Sequence, residues 1–292
     1  MDHVALYDKR WINAKQCGDT DISSFHSIPN TQVKFFYYKY CNFILSSIRN
    51  HFPDINLSSL RILEIGCGRG TASNFLSYHL GCKVVGIDFS SGSIDIACAN
   101  ANKYSLNTFF CQADLFDDQL SSLLPYAQFD VIISLGVLEH IENIADAFTV
   151  HYNLLSPGGL FSAMIVPEKP SIQDYFSPLN RILSFLSTDY VGFSHLDKKT
   201  LSKTNDVYRS YDEPEFYENH ILTAGFVSSY IKMTNYYPII RPVSRLIDRI
   251  ISYSYYFLDL LMKLTFNKDL FFESPAPLAR CFFLNATKPN RK

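Results

Sequence analysis

Between residues 61 and 166 the chain alternates short apolar runs with longer stretches of helical periodicity, and that alternation limits the folds open to it. The runs Arg61–Ile65, Lys83–Ile87, Thr108–Gln112, Phe129–Ser134 and Leu160–Val166 read as strands, and the stretches near Thr71–Leu80, Ser91–Tyr104 and Val137–Leu155 read as helices between them. Strand, helix, strand at this spacing requires right-handed crossovers. The expected architecture is therefore α/β, a parallel sheet with helices on both faces.

The flanks follow other patterns. Residues 31–50 read as a helix that begins after Pro29-Asn30. After Pro167 the alternation lapses. Residues 168–210 are rich in Ser, Asp, Tyr and Lys, with Pro170 and Pro178 as breakers, and are too long for an ordinary connection; a partly helical lid is expected there. Order returns with a helix over Asp212–Leu222, a stop at Ala224-Gly225 and a strand over Phe226–Lys232. A second insertion spans 237–272. Within it Arg245, Asp248, Arg249, Ser252, Tyr256, Asp259 and Lys263 recur every three or four residues, so they share one narrow stripe of a helix over 242–264 whose other faces are apolar, with Pro242 in its first turn. That apolar face has three uses: packing on its own domain, pairing with a second copy as a homodimer, or lying on a membrane surface as a peripheral contact. It does not span a bilayer, because Asp259 and Lys263 interrupt the run short of the ~18 to 20 apolar residues required. A last strand over Arg280–Ala286 completes the sheet. The chain thus divides into an N-terminal helical segment (1–60) covering the site and a main domain (61–292) carrying both insertions.

The chemistry concentrates at strand ends. The first strand runs into Glu64-Ile65-Gly66-Cys67-Gly68-Arg69-Gly70, with Thr71 opening the next helix. Glycines there let a ligand approach the backbone, and the helix offers unpaired amides. A dinucleotide loop wants G-x-G-x-x-G, whereas here the third glycine arrives one residue early and an acid stands two positions before the first. Those departures disfavour a nicotinamide-dependent oxidoreductase. The second strand ends in Asp88-Phe89, where a carboxylate can accept both hydroxyls of a ribose. A helix cap is the alternative use of Asp88, but Ser90 and Ser91 fill that role better. The third strand leads to Asp114-Leu115, where Asp114 either accepts an adenine amino group or sits solvated in a loop. The fourth strand passes through Ser134-Leu135-Gly136 into Val137-Leu138-Glu139-His140-Ile141, and Leu155-Ser156-Pro157-Gly158-Gly159 announces the fifth.

Taken in order, these motifs resemble the class I S-adenosylmethionine-dependent methyltransferases, most closely the group that includes the ubiquinone-pathway O-methyltransferases. The resemblance is tight over 61–166 and looser at the Ala224-Gly225-Phe226 before the sixth strand. It implies a Rossmann-like, seven-stranded, mostly parallel sheet whose last strand is antiparallel, plus the helical lid and helical insertion. It implies that S-adenosylmethionine is bound, and S-adenosylhomocysteine released, by Glu64, Gly66, Cys67, Gly68 and Gly70 near the methionine moiety, Asp88 and Phe89 at the ribose, Asp114 and Leu115 by the adenine, and Ser134, Leu135 and Gly136 along the methionine. Tyr7 or Trp11 would belong to a segment folding over the cofactor. The acceptor implied is a small molecule or a lipid- or glycan-linked group, with O-methylation first. Catalysis then asks for alignment and exclusion of water, and for a base only where a hydroxyl must lose its proton. His140 is the candidate base, with packing or capping a helix as its other reading; His195, Tyr208 and Tyr211 are candidates from the lid. Some ubiquinone-pathway relatives hold a metal through a Glu-x-x-Glu-His run, but Gly136 replaces the first Glu here and no metal is expected. A non-catalytic scaffold that holds a partner through the apolar insertion is the remaining rival.

Composition narrows the rest. Among 292 residues the hydrophobic share is 47% and the charged share 18%, which suits a folded protein. The net charge of -2 gives no global attraction to nucleic acid, and none is expected as a partner. The 7 cysteines show no pairing rhythm and no C-x-x-C, so neither disulfides nor zinc are signalled. No apolar run opens the chain, and a cytoplasmic protein is expected. The 24 Phe and 19 Tyr read first as core and helix-packing residues.

Overall fold

The computed structural model describes Asp8, Phe25 and residues 27–186, 208–241 and 244–290. Strands β1 (Arg61–Ile65), β2 (Lys83–Asp88), β3 (Thr108–Gln112), β4 (Phe129–Leu135), β5 (Leu155–Ile165), β6 (Val227–Thr234) and β7 (Cys281–Thr287) form one sheet in the order β3-β2-β1-β4-β5-β7-β6. Pairings among β1 to β5 are parallel, while β7 runs antiparallel to both β5 and β6. The parallel part is the sheet that the alternation implied, and the seven-stranded Rossmann-like whole with its antiparallel last strand is the one that the resemblance implied. Eight helices surround it among the described residues: α1 (Gln32–His51), α2 (Thr71–Leu80), α3 (Ser91–Lys103), α4 (Leu120–Leu123), α5 (Ile144–Leu154), α6 (Ile172–Leu186), α7 (Pro214–Thr223) and α8 (Arg245–Phe266).

Successive strand residues point to opposite faces, so each strand feeds two cores. Ile62, Val84, Val131 and Phe283 pack with α1 and α2 on one side, whereas Leu63, Val85, Ile132 and Leu284 pack with α5 and α7 on the other. Burial on both faces is why the strands read as unbroken apolar runs. From β1 the chain moves outward to β2 and β3, then returns to β4 and β5 on the opposite side. The carboxyl ends of β1 and β4 therefore flank a crevice at the topological switch point.

Several boundaries differ from the sequence reading. The single helix expected over Val137–Leu155 is a 3-10 turn at Leu138–His140 followed by α5, whose start is set by the Asn143 side chain accepting from the Asp146 amide. Strand β5 starts at Leu155, earlier than expected, because Leu155 pairs with Phe129 of β4 ahead of a register shift, and Gly158 and Gly159 exchange backbone hydrogen bonds with Lys288 just past β7. Pro178, expected to break structure, lies inside α6. Helix α8 begins at Arg245 under Ser244, whose Oγ accepts from the Ile247 amide at 3.3 Å; Pro242, placed by the sequence reading in the first turn, lies outside the described residues.

The largest difference concerns which way α8 faces. Asp248, Ser252 and Asp259 are its buried residues, and Leu246, Ile250, Phe257, Leu261 and Leu264 are exposed. Of the three uses, packing on its own domain involves Tyr255 and Tyr256, while the face that carries Leu246, Ile250, Phe257, Leu261 and Leu264 stays exposed. The polar stripe turns inward because α1 supplies it with partners. Asp248 Oδ1 accepts from both the backbone and side-chain amides of Gln32 at 3.1 and 3.0 Å, Ser252 Oγ donates to the Pro29 carbonyl at 2.7 Å, and Lys39 Nζ lies 2.6 Å from Asp259 and 2.9 Å from Asp269. Among the described residues no helix is long and apolar enough to cross a membrane.

Candidate functional site

The loop after β1 crosses the mouth of the crevice with its glycines left-handed. A β-carbon on Gly66 would meet Val137 Cγ2 at 2.2 Å, and one on Gly70 would meet the Phe110 ring at 2.7 Å, so the loop is drawn tight against both neighbours. Its backbone is fixed from the side by Gly66 and Cys67, whose amides donate to the Ile87 carbonyl at 2.8 and 2.9 Å. Glu64 does its work beneath the loop. Its Oε2 accepts from the Ser73 amide at 2.8 Å and from Ser73 Oγ at 2.5 Å, tying the end of β1 to the first turn of α2. Burial pushes the Glu64 carboxyl up to about 7, against the opposing pull of those two bonds.

Asp88 ends β2 on the opposite lip. One carboxylate oxygen accepts from the Gly68 amide at 2.9 Å and the other from the Ser90 amide at 3.0 Å, so it joins the glycine loop to the head of α3. The cap of α3 is Ser90, through its Oγ to the Ser93 amide, which leaves Asp88 outside that role. Burial raises the Asp88 carboxyl above its usual range, and the two amides oppose that rise. Each Asp88 oxygen has lone-pair capacity beyond its one amide bond, as an acceptor for a diol requires. Asp8 reaches the same place from the far N-terminus, accepting from Ser90 Oγ and from the Gly92 amide. Tyr7 and Trp11, named for this segment, lie outside the described residues.

The remaining positions spread along the carboxyl edge. Phe89 is half-buried and its carbonyl accepts from Gln112 Nε2 at 3.0 Å; Cys67 is buried. Asp114 is exposed and accepts from the Phe116 amide at 2.8 Å, a local turn bond, while Leu115 beside it enters the core. Ser134 is fully buried at the end of β4, and its Oγ has no hydrogen-bond partner among the described residues. Leu135 is half-buried, and Gly136 donates to the Met164 carbonyl at 2.9 Å. Gly66, Gly68, Asp88 and Gly136 thus meet around one crevice, with Asp114 a strand farther out.

His140 stands on the 3-10 turn past Gly136, with Nδ1 2.8 Å from the Tyr208 carbonyl. Tyr208 and Tyr211 are exposed, and His195 lies outside the described residues. Sequence reasoning gave no role to Glu139, yet its side chain is buried beneath Gly136. Glu139 Oε1 lies 4.0 Å from His140 Nε2, and its Oε2 makes no hydrogen bond among the described residues. Burial pushes its carboxyl up to about 7. Asp8 and Glu139 carry no local signal of this role: one acts across more than eighty residues, and an acid beside a histidine on a turn usually faces water. A cleft of about 570 Å³ opens farther along the same edge, among Pro167, Lys169, Glu213, Met233, Arg280 and Cys281. It holds none of the glycine-loop residues.

Comparison with known proteins agrees with this geometry. A methyltransferase domain family matches residues 63–161, which contain the glycine loop, Asp88, Asp114 and the end of β4. The chain is 31% identical over 119 residues to a ubiquinone biosynthesis O-methyltransferase of Rickettsia bellii, covering 41% of this chain and 46% of that one. It is 30% identical over 202 residues to an S-adenosyl-L-methionine-dependent Diels-Alderase of Talaromyces variabilis, covering 69% and 64%. It therefore spans about half to two thirds of the length of these curated relatives. Among solved structures, magnesium protoporphyrin IX methyltransferase from Synechocystis PCC 6803 with bound S-adenosylhomocysteine superposes with a TM-score of 0.53 at 15% identity, covering 98% of this chain and 100% of that one, a likeness of fold. With the sheet order, the glycine loop and the acid at the end of β2 all in place, residues 63–161 carry a methyltransferase domain, and the chain is similar to S-adenosylmethionine-dependent methyltransferases.

Proposed function

We propose that the protein transfers the methyl group of S-adenosylmethionine to a small-molecule or lipid- or glycan-linked acceptor, an oxygen nucleophile first, and releases S-adenosylhomocysteine. The observation that carries this reading is Asp88, a buried carboxylate held at 2.9 Å by the Gly68 amide across the switch-point crevice. A dinucleotide loop offers the same kind of acid, but its glycine spacing is not the one present here. The residues that would hold the cofactor are Glu64, Gly66, Cys67, Gly68 and Gly70 with Ser134, Leu135 and Gly136 along its methionine part, Asp88 and Phe89 at its ribose, and Asp114 and Leu115 at its adenine. Once bound, S-adenosylmethionine supplies a methyl already activated on a sulfonium.

What remains for the chain is orientation, dryness and a proton. Tight packing of Val137 on Gly66 and the buried wall at Ser134 favour a water-poor crevice. Oriented by Nδ1, which donates to the Tyr208 carbonyl, His140 would serve as the base for an acceptor hydroxyl proton. Once ionised, above about pH 7, Glu139 at 4.0 Å supports the imidazolium that results. Relatives named for ubiquinone biosynthesis favour an oxygen acceptor. An acceptor carried on a lipid would have to be met at a membrane surface, while pairing of two copies through residues 242–264 is the other use of that segment.

The Diels-Alderase relative favours a second reading, in which the cofactor is held and not consumed. Release of S-adenosylhomocysteine from labelled cofactor, with a panel of phenols, amines and carbon acids, separates the two. Turnover on a phenol that falls by about 10² to 10⁴ in His140→Ala supports the oxygen-directed reading. Tight binding with no release on any acceptor favours the second.

A further inference from the structure

We propose that α8 is a docking surface for an anionic lipid membrane, on which it lies flat with its apolar face down. A helix laid on a water-soluble core ordinarily buries its apolar face, but α8 buries Asp248, Ser252 and Asp259 and turns Leu246, Ile250, Phe257, Leu261 and Leu264 outward, with Leu246 63% and Leu264 76% exposed. The inward stripe is bonded to Gln32, the Pro29 carbonyl and Lys39, so the orientation is fixed by specific bonds. The outward face follows the helix for about 33 Å at 1.5 Å per residue.

Charge selects the occupant. Both acids of α8 are buried and bonded to α1, so its exposed charges, Arg245, Arg249 and Lys263, are all basic and lie along one edge of the apolar face. Pairing of two α8 helices, parallel or antiparallel, brings these basic edges together with no exposed acid of α8 to answer them, which costs association. An anionic lipid surface accepts the same pattern with favourable sign, an apolar face in the headgroup boundary and a basic edge at the phosphates. Helix α6 adds exposed apolar residues. It is rooted at the same segment, since the Asn180 and Gln173 side chains bond the backbone of Ile239 and Arg241 while Gln32 bonds Ile240, and it exposes Tyr175 and Ile182.

The test is flotation of the full chain with vesicles of phosphatidylcholine alone and with about a third phosphatidylglycerol. The protein is expected to float with the anionic vesicles and to lose that partition at least roughly tenfold in two variants, F257D/L261D and R245E/R249E/K263E. Affinity for S-adenosylhomocysteine is expected to stay within about twofold of wild type in both, which shows that each is folded and keeps this proposal separate from the methyl-transfer reading. Absence of partition on either vesicle overturns the proposal. So does partition that neither variant alters, or a solution dimer split by F257D/L261D in a protein that ignores vesicles.

Discussion

At Gly66 the backbone sits at φ +72° and an added β-carbon would lie 2.2 Å from Val137 Cγ2, so the loop as folded admits no side chain there. Gly66→Ala is expected to lose about 1–3 kcal/mol in urea unfolding and to weaken S-adenosylhomocysteine binding at least roughly tenfold. Adding Val137→Ala removes the overlap and should restore part of the stability, leaving the strain of the left-handed backbone; a double variant no better than the single one would contradict that division. Glu139 makes a prediction of opposite sign. Its carboxyl is raised to about 7 in the fold, against about 4.3 in an unfolded chain, so the folded state holds the proton more tightly. Stability from this group is full below about pH 4.3, declines as pH rises to about 7, and stays reduced above it. Glu139→Gln should therefore melt higher than wild type at about pH 8, by up to ~3 kcal/mol, and match it near pH 4; parallel melting curves would refute the burial argument. The glycine loop and Asp88 were legible in the sequence because their roles follow from position at a strand end. Asp8, Ser73 and Glu139 were not, because each acts through a partner that only the folded chain brings near.

Among the elements, strands were read more surely than helix ends. A strand buried on both faces must be apolar throughout, and that signal survives without knowledge of its neighbours. The start of β5 at Leu155 depends on Phe129 of β4, and the start of α5 on the Asn143 cap, so both escaped the periodicity of their own segments. The same holds for α8, whose polar stripe was visible while its direction was not: the stripe faces inward only because α1 carries Gln32 and Lys39 at matching positions. Lys39 is the more sensitive of the two. Burial already raises the Asp259 carboxyl against the attraction of that lysine. Lys39→Met leaves Asp259 buried without its cation and should cost about 3–5 kcal/mol in chemical denaturation. Arg249→Ala, at the exposed edge, should cost less than about 0.5. Equal losses in the two variants would mean that the buried pair does not hold α8 to the body.

For the molecule as a whole, the sheet divides the labour. Its β1–β4 half carries the switch-point crevice, and the match to the methyltransferase domain lies mostly there. The β5–β7–β6 half carries the 570 Å³ cleft, α6 and the inverted α8, where periodicity showed elements but not their partners. On the function proposed above, acceptor choice falls to that second half and cofactor binding to the first. The claim on which the rest depends is that the switch-point crevice holds S-adenosylmethionine through Asp88. Calorimetric titration of the full chain with S-adenosylhomocysteine, beside Asp88→Ala, tests it most directly. The account predicts micromolar binding that weakens by at least about a hundredfold in the variant, as loss of a charged acceptor for two hydroxyls requires. A well-folded wild-type protein that ignores S-adenosylhomocysteine, above all one that binds NAD instead, would contradict it.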